Sequence, residues 1–126
     1  MEVILDASAV LALIQNERGA DRVAEALPRA AISAVNLAEV ITKLVRKTKN
    51  PVLVRRNLDL IKLRVQPWDE RAAHQSADYA HLAASGLSLG DRACITESDI
   101  STARILTADR RWKEIPEISA RVDLIR

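Results

Sequence analysis

The chain has 126 residues, 48% of them hydrophobic and 29% charged, with a formal charge of +2. That length suits one domain around a single core, and so balanced a charge does not by itself identify a nucleic-acid binder. Cys94 is the only cysteine, which excludes an internal disulfide and a thiolate metal cluster and suits a reducing cytoplasm.

With no Phe, one Tyr and two Trp, the core must be built from Leu, Ile, Val and Ala. No apolar run approaches the roughly 18 residues that span a bilayer. The N-terminal apolar run has no Lys or Arg ahead of it and is interrupted by Asp6, which argues against a signal peptide. The expectation is a cytoplasmic protein without a membrane partner.

Val3-Ile4-Leu5 predicts a short, buried, parallel strand. Ser8 is placed to cap a helix to about Gln15, and Gly19 breaks it. Residues 20 to 27 read as a second helix stopped by Pro28, and residues 30 to 32 as a second strand. Ser33 then caps a longer helix over 34 to 48, with apolar positions 37, 40, 41, 44 and 45 on the helical period. Asn50-Pro51, a cap followed by proline at the first helical position, opens a helix to about residue 62. Residues 63 to 65 are a weak third strand. Asp69 caps an alanine-rich helix that ends at Gly86. The loop "GLSLGD" leads to a helix from about Asp91 to Ser101, then to strands at 104 to 107 and 122 to 125. The helices at 20 to 27 and 51 to 62 are candidates for exposed apolar surface. Alternating strands and helices predict an α/β layered fold with a mainly parallel central sheet. Such sheets bind ligands outside the carboxyl ends of their strands.

The acidic residues fall at that edge. Asp6 directly follows the first strand, in the apolar stretch "VILDASAVLALI". Asp109 stands two positions after Thr107, where the fourth strand ends. Glu39 lies in the first turns after the second strand, on one helix face with Asn36, and Asp91 begins the helix after the apolar loop. Each has an ordinary structural alternative as a cap, a turn or a solvated helix position. Together, four carboxylates at one edge repel one another and raise one another's pKa values. Hard divalent cations with oxygen ligands, Mg²⁺ or Mn²⁺, resolve that conflict and favour phosphoryl chemistry.

The blocks "ILDASAVLALI", "SAVNLAEV", "GLSLGDRACI" and "ILTADRRW" resemble PIN-domain ribonucleases in order and spacing, and look most like the VapC-type toxins of bacterial toxin–antitoxin pairs. The resemblance runs from Val3 to about Ile125 and implies a single PIN-like three-layer domain over residues 1–126. It maps the family's acidic quartet onto Asp6, Glu39, Asp91 and Asp109, with Asp6, Asp91 and Asp109 as the metal ligands. Ser8 and Thr107 correspond to its small hydroxyl residues, and Asn36 to the asparagine one turn before its glutamate. It further implies Mg²⁺ or Mn²⁺ dependence and endonucleolytic RNA cleavage to a 5′-phosphate and a 3′-hydroxyl. Its other implications are a homodimer, a VapB-like antitoxin whose tail occupies the groove, and hence a toxin–antitoxin hetero-oligomer. Structured RNAs such as tRNA are frequent targets of such toxins.

Arg92, Arg110 and Arg111 neighbour the predicted ligands and are expected to contact RNA phosphates, as are Lys43, Arg46 and Lys47 on the Glu39 helix. Trp112 either stacks on a base or anchors the loop after the strand. Glu97, in "TESDIS" where relatives are usually more apolar, is expected to be a solvated helix position rather than an outer acid of the site. His74 and His81 are seven residues apart on one helix, roughly 10 Å, which is too far to share an ion; both are expected at the surface. Cys94 is expected to pack as an apolar residue. A receiver domain would need an Asp ending the third strand and a Lys beyond the fifth, and a haloacid-dehalogenase-like phosphatase would need Asp-x-Asp after the first strand; neither pattern is present. A PIN-like module that binds nucleic acid or protein without catalysis is the alternative from another class.

Overall fold

A computed structural model describes residues 2–126. Five strands form one sheet: β1 (Val3–Leu5), β2 (Ala30–Ser33), β3 (Arg64–Gln66), β4 (Arg104–Thr107) and β5 (Val122–Leu124). Every neighbouring pair is parallel and the order is β3-β2-β1-β4-β5. Among the described residues the α-helices are α1 (Ala7–Ile14), α2 (Ala20–Ala26), α3 (Ala34–Thr48), α4 (Pro51–Ile61), α5 (Glu70–Gln75) and α6 (Leu89–Ser101). This is the predicted α/β fold, a parallel central sheet between helical layers.

The strand alternation builds two cores. Leu5, Ile32 and Leu106 point to one face and pack with α1, α2, α3 and α4. Ile4, Ala31, Ile105 and Val122 point to the other and pack with Tyr79, Leu82, Cys94, Ile95 and Trp112. A one-residue slip of any central strand would exchange its two sets, so both faces fix the register.

Side-chain capping sets several boundaries where the sequence places them. Ser33 accepts from the Val35 N–H, Asn50 from Leu53 and Asp69 from Ala72. Two starts differ. The Asp6 N–H still pairs with the Leu106 carbonyl at 3.0 Å, and the helix begins at the next residue, so Asp6 takes the cap position and Ser8 falls inside the first turn. The helix predicted from Asp91 begins at Leu89, because Ser88 is the cap and Asp91 is its reciprocal partner.

The predicted helix over 69 to 86 keeps its ends but not its winding. After α5 the chain continues as a 3-10 helix, Ser76–Ser85, closed by Gly86 at φ +89°. Three residues per turn put Tyr79 and Leu82 in line, and both are buried. Two further 3-10 segments, Arg110–Glu114 and Ser119–Arg121, lie between β4 and β5. The first seats Trp112 fully in the core, so this residue anchors the loop and is withdrawn from any base. Exposed apolar surface is found on α4, where Val52 and Leu60 are 74% and 72% exposed. It is not found on α2, whose outward face carries Asp21, Arg22 and Glu25. No helix among the described residues is long and apolar enough to cross a membrane.

Glu97 corrects another expectation. It is 3% exposed rather than solvated, and its Oε2 is buried without a hydrogen-bond partner. Burial pushes its carboxyl pKa up, the Asp69 charge adds to this, and a hydrogen bond with Ser101 opposes it. A raised folded-state pKa means stability that is present at low pH and lost as pH rises through that value. Glu97→Gln is therefore expected to stabilise the fold at pH 8 and to leave it nearly unchanged at pH 4. Urea unfolding at the two pH values checks this; a destabilised variant at pH 8 would show that the ionised group is compensated.

Candidate active site

The central strand β1 and its neighbour β4 end side by side, and the site begins there. Asp6 is 5% exposed. Its Oδ2 accepts from Ser8 Oγ at 2.7 Å and from Thr107 Oγ1 at 2.9 Å. Each hydroxyl spends its one proton on this carboxylate, so the 3.2 Å approach of Ser8 Oγ to Thr107 Oγ1 is a packing contact. Both hydroxyls accept in turn, Ser8 from the Ala108 N–H and Thr107 from the Asp109 N–H. Thus Asp6, Ser8, Thr107 and the backbone entering Asp109 are one bonded unit, and the two hydroxyls hold Asp6 directly.

Burial raises the Asp6 pKa from 3.8 to about 6; the two hydroxyl bonds and the Ala7 N–H oppose this, and the negative charge of Asp91 adds to it. Asp91 stands in the first turn of α6, where its Oδ2 accepts from the Ser88 N–H at 2.9 Å. Asp109 caps the following 3-10 segment through Oδ1, which accepts from the Arg111 N–H. The Arg111 side chain clasps the same carboxylate, with Nε 3.0 Å from Oδ1 and Nη2 2.6 Å from Oδ2. That guanidinium holds the Asp109 pKa below the usual carboxylate range.

Glu39, on α3, accepts at Oε1 from the Asn36 side-chain amide at 2.8 Å. The same amide donates to the Gly90 carbonyl at 2.9 Å, which ties α3 to the first turn of α6. Behind these groups lies Cys94, fully buried among apolar residues as expected. Burial drives its thiol pKa well up, and Asp6, Asp91, Glu39 and Glu97 all add to the effect.

The chain therefore brings Asp6, Glu39 and Asp91 around one turn of α6, while Asp109 is linked to them through Thr107. Among the described residues, no three His, Cys, Asp or Glu side chains form a group that could hold a metal ion as they stand. Asp91 is turned to Ser88, and Asp109 to Arg111. The donor set fits a hard divalent cation: it is all oxygen, and it contains a buried carboxylate that feels a second anion and no cation.

Arg110 is exposed, as an RNA contact requires. Arg111, expected to face RNA, is engaged with Asp109, a pairing for which the two-residue spacing at a cap is the signal in the sequence. Arg92 is only half-exposed, and its Nε is buried without a partner. Lys43, Arg46 and Lys47 are exposed on α3. His74 and His81 are exposed and pair with Glu70 and Glu117.

A parallel sheet with carboxylates at the carboxyl ends of its central strands defines the class. The PIN domain family matches residues 3–118, and the chain belongs to that family. Comparison with curated proteins finds no match. Among solved structures it is similar to DNA-bound VapBC from Salmonella typhimurium, with TM-score 0.73 and 23% identity over 100% of this chain and 99% of that one. It is also similar to VapBC2 from Rickettsia felis bound to a promoter DNA fragment, with TM-score 0.75 and 19% identity over 98% of each chain. A third is a toxin–antitoxin complex from Klebsiella pneumoniae, with TM-score 0.74 and 20% identity over 99% of this chain and 98% of that one. At these identities the likeness is one of fold.

Two outcomes are expected from the electrostatics. The folded Asp6 pKa lies above its ordinary 3.8, so its stability contribution is intact below that value and is lost as pH rises through about 6. In EDTA, Asp6→Asn should stabilise the fold by up to about 3 kcal/mol at pH 8 and leave it nearly unchanged at pH 4; equal effects at both pH values in urea unfolding would refute the burial assignment. Arg111→Ala should shift the Asp109 carboxyl titration upward, followed by ¹³C NMR of the side-chain carboxyl, and an unmoved titration would show that the pair does not form in solution.

Proposed function

We propose that this chain is a divalent-metal-dependent endoribonuclease, the VapC-type toxin of a toxin–antitoxin pair. The observation that carries the reading is the Asp6 carboxylate, buried at the end of the central strand, its pKa raised by burial and by the like charge of Asp91, and without an ion pair of its own among the described residues. The PIN-family membership and the fold shared with VapBC structures support it.

In this reading Asp6, Asp91 and Asp109 hold Mg²⁺ or Mn²⁺, once Asp91 and Asp109 exchange their present partners for the ion. Bound there, the ion supplies Lewis acidity at a phosphoryl oxygen and lowers the pKa of its water. Ser8 and Thr107 keep the Asp6 carboxylate oriented. Glu39 orients the attacking water from the α3 side and receives its proton. Arg110 and Arg92 bind phosphates of the RNA, joined by Arg111 when it leaves Asp109, with affinity that falls as salt rises. The products carry a 5′-phosphate and a 3′-hydroxyl, and a structured RNA such as tRNA is the substrate class. Residues 1–126 act as one domain in the cytoplasm, as a homodimer that a VapB-like antitoxin inhibits in a hetero-oligomer.

End-mapping of cellular RNA incubated with the purified chain and Mg²⁺ or Mn²⁺ tests this. Asp91→Asn is the paired control, because an amide oxygen can still accept from Ser88 and preserve the helix start. Discrete, metal-dependent 5′ ends are expected, with cleavage at least about 100-fold slower in Asp91→Asn. Ends that persist in that variant would sink the assignment of the site. An absence of both cleavage and divalent-metal binding would leave a PIN-like module without catalysis.

A further inference from the structure

Glycine at position 90 sits inside the first turn of α6, between the Leu89 and Asp91 side chains. Its backbone does not require glycine, since only Gly19 and Gly86 among the glycines have positive φ. The space around it does. A Cβ at position 90 would stand 2.2 Å from Glu39 Oε1, 2.4 Å from Cδ and 2.5 Å from Oε2. The Glu39 carboxylate therefore fills the volume that any other side chain at this position would need.

Asn36 completes the arrangement. It is fully buried, and its Nδ2 bridges Glu39 Oε1 and the Gly90 carbonyl. The two acceptors determine which way the amide faces, because the flipped form would set oxygen against oxygen. The cost is visible at the other end of the amide, where Oδ1 is buried without a partner. An amide left half unsatisfied in the interior, on a bridge between two elements, serves the placement of Glu39 more than the packing of α3.

We infer that Gly90 is a positioning residue for Glu39: the missing side chain makes a cradle on α6 that, with Asn36, holds the Glu39 carboxylate beside Asp91. This rests on the reading of Glu39 as part of the active site. The clash that Gly90→Ala introduces falls on the far end of a flexible side chain, not on backbone. The variant folds, since alanine also favours a helix more than glycine does, but Glu39 is displaced. A displacement of about 1 Å in a catalytic group is enough for a rate loss on the order of 100-fold.

The test has one readout that needs no activity and one that does. In Gly90→Ala the unfolding midpoint should be unchanged or higher, while the ¹³C signal of the Glu39 side-chain carboxyl moves. An unmoved signal would overturn the cradle whether or not the protein cleaves RNA. Cleavage is then compared across Gly90→Ala, Glu39→Asp and the double variant, with kcat and KM separated. The expected losses lie in kcat, on the order of 10- to 100-fold for each single variant. The double variant should be no slower than Gly90→Ala alone, because aspartate is one methylene shorter and clears the new Cβ. Additive losses, or a loss confined to KM, would show that Gly90 does not act through Glu39. A wild-type chain that cleaves nothing would count against the ribonuclease reading, and the carboxyl signal would still decide the cradle.

Discussion

A carboxylate buried at the end of the central strand is the constraint from which the site follows. Asp6 has hydroxyls from Ser8 and Thr107 and the Ala7 N–H, but no ion pair among the described residues. Hydrogen bonds soften the cost of burying that charge without removing it, and Asp91 makes it larger. A fold that only needed stability would place a neutral residue there. Under the proposed function, retaining the acid trades stability for a site that attracts positive charge, a familiar trade in active sites.

Topology explains why the acids meet where they do. From β1 the chain steps outward to β2 and β3, then returns across β1 to form β4 and β5 on the other side. β1 and β4 thus meet where the winding reverses, and their carboxyl ends diverge into α1 on one side and the Arg110–Glu114 segment on the other. Such reversal points leave a crevice that no crossover covers. Asp6 and Thr107 occupy its two lips. The first turn of α6 brings Asp91 to it, and the Asn36 bridge from α3 brings Glu39. Four residues far apart in the chain are gathered by one feature of the strand order.

The sequence discloses those parts of this arrangement that are local. Ser33, Asn50 and Asp69 are legible as caps because a cap bonds within three residues of itself. The strand at Arg104–Thr107 is legible because an apolar run between helices has few other uses. Ser8 reads as a cap in the sequence but is not one, because its partner, Asp6, is held by a strand pairing with Leu106, a hundred residues away. Glu97 looked solvated because its polarity, not its position on α6, is what the sequence displays. The winding of Ser76–Ser85 depends on how Tyr79 and Leu82 meet α6, which no local pattern encodes. The family blocks single out the four acids. They do not state which groups hold each acid, and those groups determine its charge.

Each acid is settled by a different device. Asp6 has two hydroxyls, Asp91 a helix cap, Asp109 a guanidinium, and Glu39 an amide that also grips the backbone of α6. These partners differ in how easily they yield. The Arg111 side chain is exposed, and an exposed pair is worth little against solvent, so Asp109 can be released at small cost. The Ser88 N–H can find water in place of Asp91, since Ser88 is exposed. The bonds to Asp6 are locked by the backbone of Ala108 and Asp109, and the Asn36 amide that holds the half-buried Glu39 is itself buried. The site therefore has a rigid half, Asp6 and Glu39, and an adjustable half, Asp91 and Asp109. Under the proposed function that division suits a site that receives a cation without a large rearrangement: the fixed acids would define where the charge is needed, and the adjustable ones would close on it from the solvent side.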